Sequence, residues 1–201
     1  MAFEHILSPA IFAALASLSV TTMAARDASP ATSMRLDSKK DATVAREESD
    51  LLGTLVQTHT GEHVMLDDAS PTQARFDDLL ADRVTGQRAD LDPRLLEMLR
   101  TLARMHPGAR VEIVSGFRSE KLNEMLRKKG HHVATHSQHS LGHAVDFRIV
   151  PDGADRALSP LEIEHELRAD LKWSGGVGVY LSDSDWFTHA DVGPNRRWNG
   201  L

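Results

Sequence analysis

The 201-residue chain contains no cysteine. That excludes a disulfide scaffold and any metal site built on thiolates, although it leaves the compartment open. Aromatic residues are few, at 5%, with a single tyrosine. The core must therefore rest on Leu, Val, Ile and Met. Positive charge is also in deficit, with 23 Lys and Arg against 29 Asp and Glu and a net charge of −6. No basic cluster stands out, which argues against a nucleic-acid partner, because phosphate recognition needs clustered Lys and Arg. Long hydrophobic runs are missing too: the apolar stretch Ile6 to Val20 falls short of the ~20 residues that span a bilayer. With 41% hydrophobic and 26% charged residues, the composition is that of a soluble globular protein with no membrane span in its mature form.

The short apolar stretch is followed by Thr22-Met23-Ala24, a small-residue pattern like that of a cleavage site. Residues 1–24 are thus expected to be an export signal. The segment before the stretch carries Glu4 and no Lys or Arg, so a mis-assigned start codon or an inert N-terminal helix are the alternatives. Residues 25–50 lack hydrophobic periodicity and read as a disordered linker. Residues 51–201 then form one folded domain, expected to be monomeric.

Within that domain, Thr54 to His59 and Glu62 to Leu66 flank Thr60-Gly61 and predict a β-hairpin. Ser70-Pro71 and Asp92-Pro93 each pair an N-cap residue with Pro at the first helical position. In the second of these helices, Leu95, Leu96, Leu99, Leu102, Ala103 and His106 share one face. A third helix is expected from Ser119 to Lys129, with Gly130 as C-cap. A fourth starts at Ser159-Pro160, with Glu162 in capping-box position, and runs to about Leu171. Strands are expected at Val111–Val114, Ala144–Ile149, Gly176–Tyr180 and Phe187–Val192. The fold class is α+β, a small and mostly antiparallel sheet flanked by helices.

Three residues carry the chemistry: His139, Asp146 and His189. Two imidazoles and one carboxylate are a full protein ligand set for a catalytic zinc, with water in the fourth position. Single histidines are weak signals, since five of the eleven lie between His131 and His143. Asp146 is harder to set aside. It interrupts an apolar strand, where an unpaired carboxylate costs several kcal/mol. A metal relieves that cost, and so does a salt bridge to Arg148 or Arg118. The spacing Ser137-x-His139-x-x-Gly142-x-Ala144-x-Asp146 puts His139 in a turn just before the strand that bears Asp146. Gly142 permits a tight turn there, and Ala144 leaves room on the face of Asp146. His189 sits on a second strand, and its i+2 neighbour Asp191 shares its face.

Ser-x-His-x-x-Gly-x-Ala-x-Asp followed by a late strand His resembles the zinc D-Ala-D-Ala metallopeptidase clan, which includes the hedgehog fold. Within it the chain most resembles the murein endopeptidase K group. Further matching stretches are Thr58-His59-Thr60-Gly61-Glu62, Leu80-Ala81-Asp82-Arg83, Asp92-Pro93-Arg94-Leu95-Leu96, Ser115-Gly116-Phe117-Arg118-Ser119, Gly175 to Tyr180, and His189-Ala190-Asp191-Val192-Gly193 through Arg197-Trp198. The resemblance implies the hedgehog/D,D-peptidase-like zinc fold and one Zn2+ on His139, Asp146 and His189. It also implies that Arg118 reaches the substrate near the metal, by pairing with a carboxylate or polarising the scissile carbonyl. Pairing with an acidic neighbour is the plainer role for Arg118. Ser137 either lines the substrate groove or caps its turn.

Many clan members carry a catalytic acid three residues before the last zinc ligand, where this chain has Trp186. Asp191 is then the first choice as general base, with orientation of a ligand as its alternative role. Asp183, Asp185 and His136 are further candidates. The expected function is a zinc peptidase that hydrolyses peptidoglycan cross-links or stem peptides outside the cytoplasm, in the periplasm or beyond. The alternative is a zinc-containing module of the same fold that binds peptidoglycan peptides without turnover.

Overall fold

The protein is described from a computed structural model over residues 50–129 and 137–200. The expected export segment, the linker up to residue 49, Gly130 and His136 lie outside the described residues. The expected hairpin is β1 (Gly53–Gln57) and β2 (Glu62–Leu66), followed by α1 (Gln73–Leu79) and α2 (Pro93–Met105). Then come β3 (Ala109–Ser115), α3 (Glu120–Lys128), a single 3-10 turn over Gln138–Leu141 and β4 (Ala144–Val150). The chain closes with α4 (Pro160–His165) extended by a wider π turn (Glu166–Asp170), β5 (Gly176–Leu181), β6 (Trp186–Asp191) and β7 (Arg197–Asn199).

The seven strands among the described residues form one sheet in the order β2-β1-β3-β4-β6-β5-β7. Four neighbouring pairs are antiparallel, while β1–β3 and β5–β7 are parallel. The α+β class and the antiparallel majority are as expected, and the sheet is larger than expected because β7 adds an edge. Arg197–Asn199 has no alternating pattern to announce a strand; it becomes one by lying beside β5.

Helix starts follow local chemistry. Asp92 accepts from Arg94 N at 3.0 Å with Pro93 at the first helical position, and Ser119 and Ser159 cap α3 and α4. The first helix departs from expectation: its N-cap is Thr72, not Ser70. Ser70 is already committed to a turn, in which its N–H and that of Ala69 both donate to Asp67 Oδ1.

One face of the sheet is buried. Val145, Phe147 and Ile149 of β4 pack with Val177, Ala190, Val111 and Ile113 under Phe76, the leucines of α2, and Ile163 and Leu167. Strand alternation sends the intervening residues to the other face. There the register lines up Ser115, Asp146, His189, Gly178 and Trp198 as one row across five strands. A bulge at Val114 brings Ser115, rather than its neighbour, opposite Asp146.

The 3-10 turn that delivers His139 closes on Gly142, with φ 73°. A Cβ there would stand 2.6 Å from the carbonyl oxygen of Asp90, whose neighbour Asp92 donates its N–H to Gly142 O. Gly142→Ala is therefore expected to cost about 2 kcal/mol, from left-handed strain plus the clash. The shift of the urea unfolding midpoint measures it, and an unshifted midpoint would show that the turn is not held against Asp90.

Candidate metal centre

His139, Asp146 and His189 are buried, and each offers a ligand atom to one small space. His139 comes from the 3-10 turn, Asp146 from β4 and His189 from β6, directly opposite Asp146 in the ladder. His139 Nε2 lies 3.1 Å from Asp146 Oδ1 and 3.1 Å from His189 Nδ1, and His189 Nδ1 lies 2.7 Å from Asp146 Oδ1.

Acceptors on the outer side set which nitrogen of each ring is bare. His139 Nδ1 donates to Gly116 O at 2.7 Å, and His189 Nε2 donates to Asp191 Oδ2 at 3.1 Å. Each ring then turns a lone pair inward, at the same carboxylate oxygen. Three inward acceptors cannot satisfy one another, since a single proton serves only one of the contacts. One cation serves all three, so the donor set fits a metal. Nitrogen and oxygen ligands without a thiolate suit zinc.

Charge follows the same pattern. Burial, joined by the Arg118 guanidinium, pushes the His139 imidazole down to about 4, against the pull of Asp146. Burial would raise Asp146, yet His139, Arg118 and His189 beside it hold its carboxyl well below the usual range. For His189, burial favours the neutral ring, and the two carboxylates beside it override that and raise its pKa.

Asp146 Oδ2, the oxygen turned away from the imidazoles, pairs with Arg118. Arg118 Nε also donates to Ser115 Oγ at 2.8 Å. The metal and salt-bridge explanations offered for Asp146 are thus not exclusive, because each uses a different oxygen. Arg148 turns instead to Glu112. The loop carrying Arg118 is pinned from below: Phe117 N donates to Leu80 O, and Ser119 N donates to Asp82 Oδ2 at 2.7 Å. Asp82 is buried and, among the described residues, forms no ion pair. Burial alone would raise its pKa, and hydrogen bonds from Ser119, Thr85 and Val84 lower it instead. Asp82 is a supporting residue that sequence reasoning passed over. A lone acid after Leu80-Ala81 gives no sign that it receives a backbone N–H from residue 119.

Asp191 is fully buried, and its lone pairs are spent. Oδ1 accepts from Gly193 N and Gly176 N, and Oδ2 accepts from His189 and from Arg196 at 2.9 Å. It meets His189 on the nitrogen facing away from the ligand cluster. That geometry favours the alternative role, orientation of a ligand, over the expected one of a base. Ser137 Oγ accepts from His139 N at 3.3 Å and caps the turn. Asp183 and Asp185 sit in the exposed β5–β6 turn. That turn lies beyond Trp186, itself ~10 Å along the strand from His189. Trp186 alternates onto the face opposite His189 and donates its indole N–H to Leu158 O. An acid at 186 would not lie on the His189 face of this strand, so its absence says nothing about turnover.

Among the described residues, two adjacent strands and a turn offer three non-thiolate donors, the number of protein ligands found in catalytic zinc sites, whereas structural sites take four. The comparisons with known proteins narrow that class. Residues 54–198 match the family model described as peptidoglycan L,D-endopeptidase MepK. The chain belongs to this family of metallopeptidases. It is 34% identical over 146 residues to the probable peptidoglycan L,D-endopeptidase MepK of Haemophilus influenzae, covering 71% of this chain and 73% of that protein. Against the peptidoglycan L,D-endopeptidase MepK of Escherichia coli K12 it is 34% identical over 154 residues, 72% of this chain and 78% of that one. No solved structure matches.

With His139 already neutral, the proton that competes with a metal is the one His189 holds. Zinc binding is expected to release one proton per site where His189 is protonated, and affinity should rise with pH through that range and then level. Calorimetry in buffers of different ionisation enthalpy measures the release. Asp191→Asn is expected to weaken zinc binding about 10–100-fold, read by competition with a chromophoric chelator.

Proposed function

We propose that this chain is a zinc-dependent peptidoglycan endopeptidase that hydrolyses the L,D cross-links named for its relatives. The observation that carries it is the convergence of His139 Nε2, Asp146 Oδ1 and His189 Nδ1, with both outer nitrogens already hydrogen bonded. These three atoms would hold zinc, which when bound would supply Lewis acidity for activating water and polarising a carbonyl. Asp191 and Gly116 hold the two rings in their ligating orientation. Arg118 is fixed by Asp146 and Ser115, which leaves Nη1 to face the substrate at the edge of the cluster.

Peptide hydrolysis adds water oxygen to the scissile carbon, breaks the C–N bond and delivers a proton to the departing nitrogen. A base must carry that proton. Asp191 is saturated, and Asp183 and Asp185 lie in the far turn, so His136 is the remaining candidate among those weighed. A non-catalytic peptidoglycan-binding role loses its main support, because residue 186 faces away from the site.

We also infer export, with residues 1–24 removed, residues 51–201 as the catalytic domain and the periplasm as the place of action. A substrate outside the cytoplasm and relatives named for peptidoglycan cleavage support this. Among the described residues no helix is long and apolar enough to cross a membrane.

Zinc-loaded protein incubated with murein sacculi is expected to release uncross-linked muropeptides, resolved by chromatography. His189→Ala should release none, and His136→Ala should keep zinc while kcat falls ~100-fold or more. Sacculi left intact by the wild type would overturn the endopeptidase reading. The mature N-terminus is expected just after Ala24, checked by intact mass of protein recovered from the periplasm; full-length chain there would count against cleavage.

A further inference from the structure

Tyr180, the chain's only tyrosine, sits on β5 two residues after Gly178 and on the same face. Gly178 is the register partner of both His189 and Trp198. A Cβ on residue 178 would come within 2.5 Å of the Trp198 ring, so the indole fills the gap that glycine leaves and lies beside the His189 ring, with centroids 5.1 Å apart. From there Trp198 donates its indole N–H to the Tyr180 hydroxyl at 3.3 Å. Tyr180 is thus one side chain removed from a member of the ligand cluster.

The ring is held on both sides. Phe187 stacks on it at 4.3 Å and 17°, and Gly200 packs so closely that a Cβ there would stand 2.1 Å from a ring carbon. The hydroxyl oxygen accepts a hydrogen bond from Trp198, while its own hydrogen has no acceptor among the described residues. Among the described residues, three other donors on this face already have partners. Arg148 is tied to Glu112, Arg196 to Asp191 and the indole of Trp198 to Tyr180 itself. Arg118 covers the β3 flank of the cluster, and Tyr180 stands on the opposite, β5 flank. The charges of Asp146 and Arg118 are both felt at the Tyr180 hydroxyl, though burial is the main cause of its raised pKa.

We propose that Tyr180 is a catalytic residue whose hydroxyl donates a hydrogen bond to the scissile carbonyl oxygen as that oxygen gains negative charge. The ring clamp fixes the donor in place before substrate arrives, and the indole N–H, by donating to the phenol oxygen, leaves the hydroxyl hydrogen as its outgoing bond. A donor preset at the position where charge develops lowers the barrier without tightening the ground state.

The inference rests on the endopeptidase reading, and one experiment separates the two. Wild type, Tyr180→Phe and Trp198→Phe, all zinc-loaded, are assayed on a soluble cross-linked muropeptide, alongside zinc content and thermal unfolding. Tyr180→Phe keeps the stack on Phe187 and is expected to lose kcat by ~100-fold with KM within about twofold, and with zinc content and melting unchanged. Trp198→Phe keeps a ring beside His189 but frees the phenol oxygen, and should lose kcat by a smaller factor. An active wild type beside an equally active Tyr180→Phe overturns the inference alone. So does a loss that tracks zinc content or unfolding. A zinc-loaded wild type that turns over nothing overturns the endopeptidase reading, and this inference with it.

Discussion

The site depends on one register, the antiparallel pairing of β4 with β6 that sets Asp146 opposite His189. Because side chains alternate along a strand, a slip of one residue would send Asp146 into the core and bring a valine or phenylalanine to the site face. Burial of Val145, Phe147 and Ile149 on the other face prevents that slip. The hydrophobic core therefore does more than stabilise the domain: it holds the carboxylate and the imidazole side by side on the other face of the sheet. The same register runs on through Gly178 to Trp198 and Tyr180, so the flank of the site is set by the same pairing.

Around the cluster, each ligand has a partner that fixes its orientation, and each partner belongs to a different part of the chain. Gly116 O holds His139, Asp191 holds His189 and Arg118 holds Asp146. These partners also balance charge, since Arg118 offsets Asp146 and Arg196 offsets Asp191. A site assembled in this way is preorganised, with its lone pairs aimed before any ion arrives. The supports reach well outside the site, through Asp82 to the start of α3 and through Gly142 to the loop at Asp90.

Much of the frame was legible in the sequence. The hairpin, the caps at Asp92, Ser119 and Ser159, and the strand carrying Asp146 follow from local spacing and capping chemistry. The start of α1 was misplaced because Ser70 looks like a cap in isolation, whereas Asp67 recruits it into a turn. β7 was missed because its strand character comes from its neighbour and not from its own residues. In the site, the three candidate ligands stood out by residue type and pattern, and the fold brings them together. Asp191 was placed near His189 by the i+2 rule, yet which ring nitrogen it meets depends on how the ring is rotated, and no spacing rule supplies that.

The sequence by itself determined the donor set, two histidines and one aspartate with no cysteine to compete, and the alternation that separates them from the core. Those are properties of residue type and of strand periodicity, both local. Only the tertiary structure decided which lone pairs face inward, that all of Asp191's acceptor positions are taken and that Tyr180 stands beside the site. The inward lone pairs depend on His139, Asp146 and His189 meeting across 7 to 50 residues of chain, and the place of Tyr180 depends on Trp198 reaching it from β7; ring rotation and sheet pairing of this kind leave no mark on the spacing of residues.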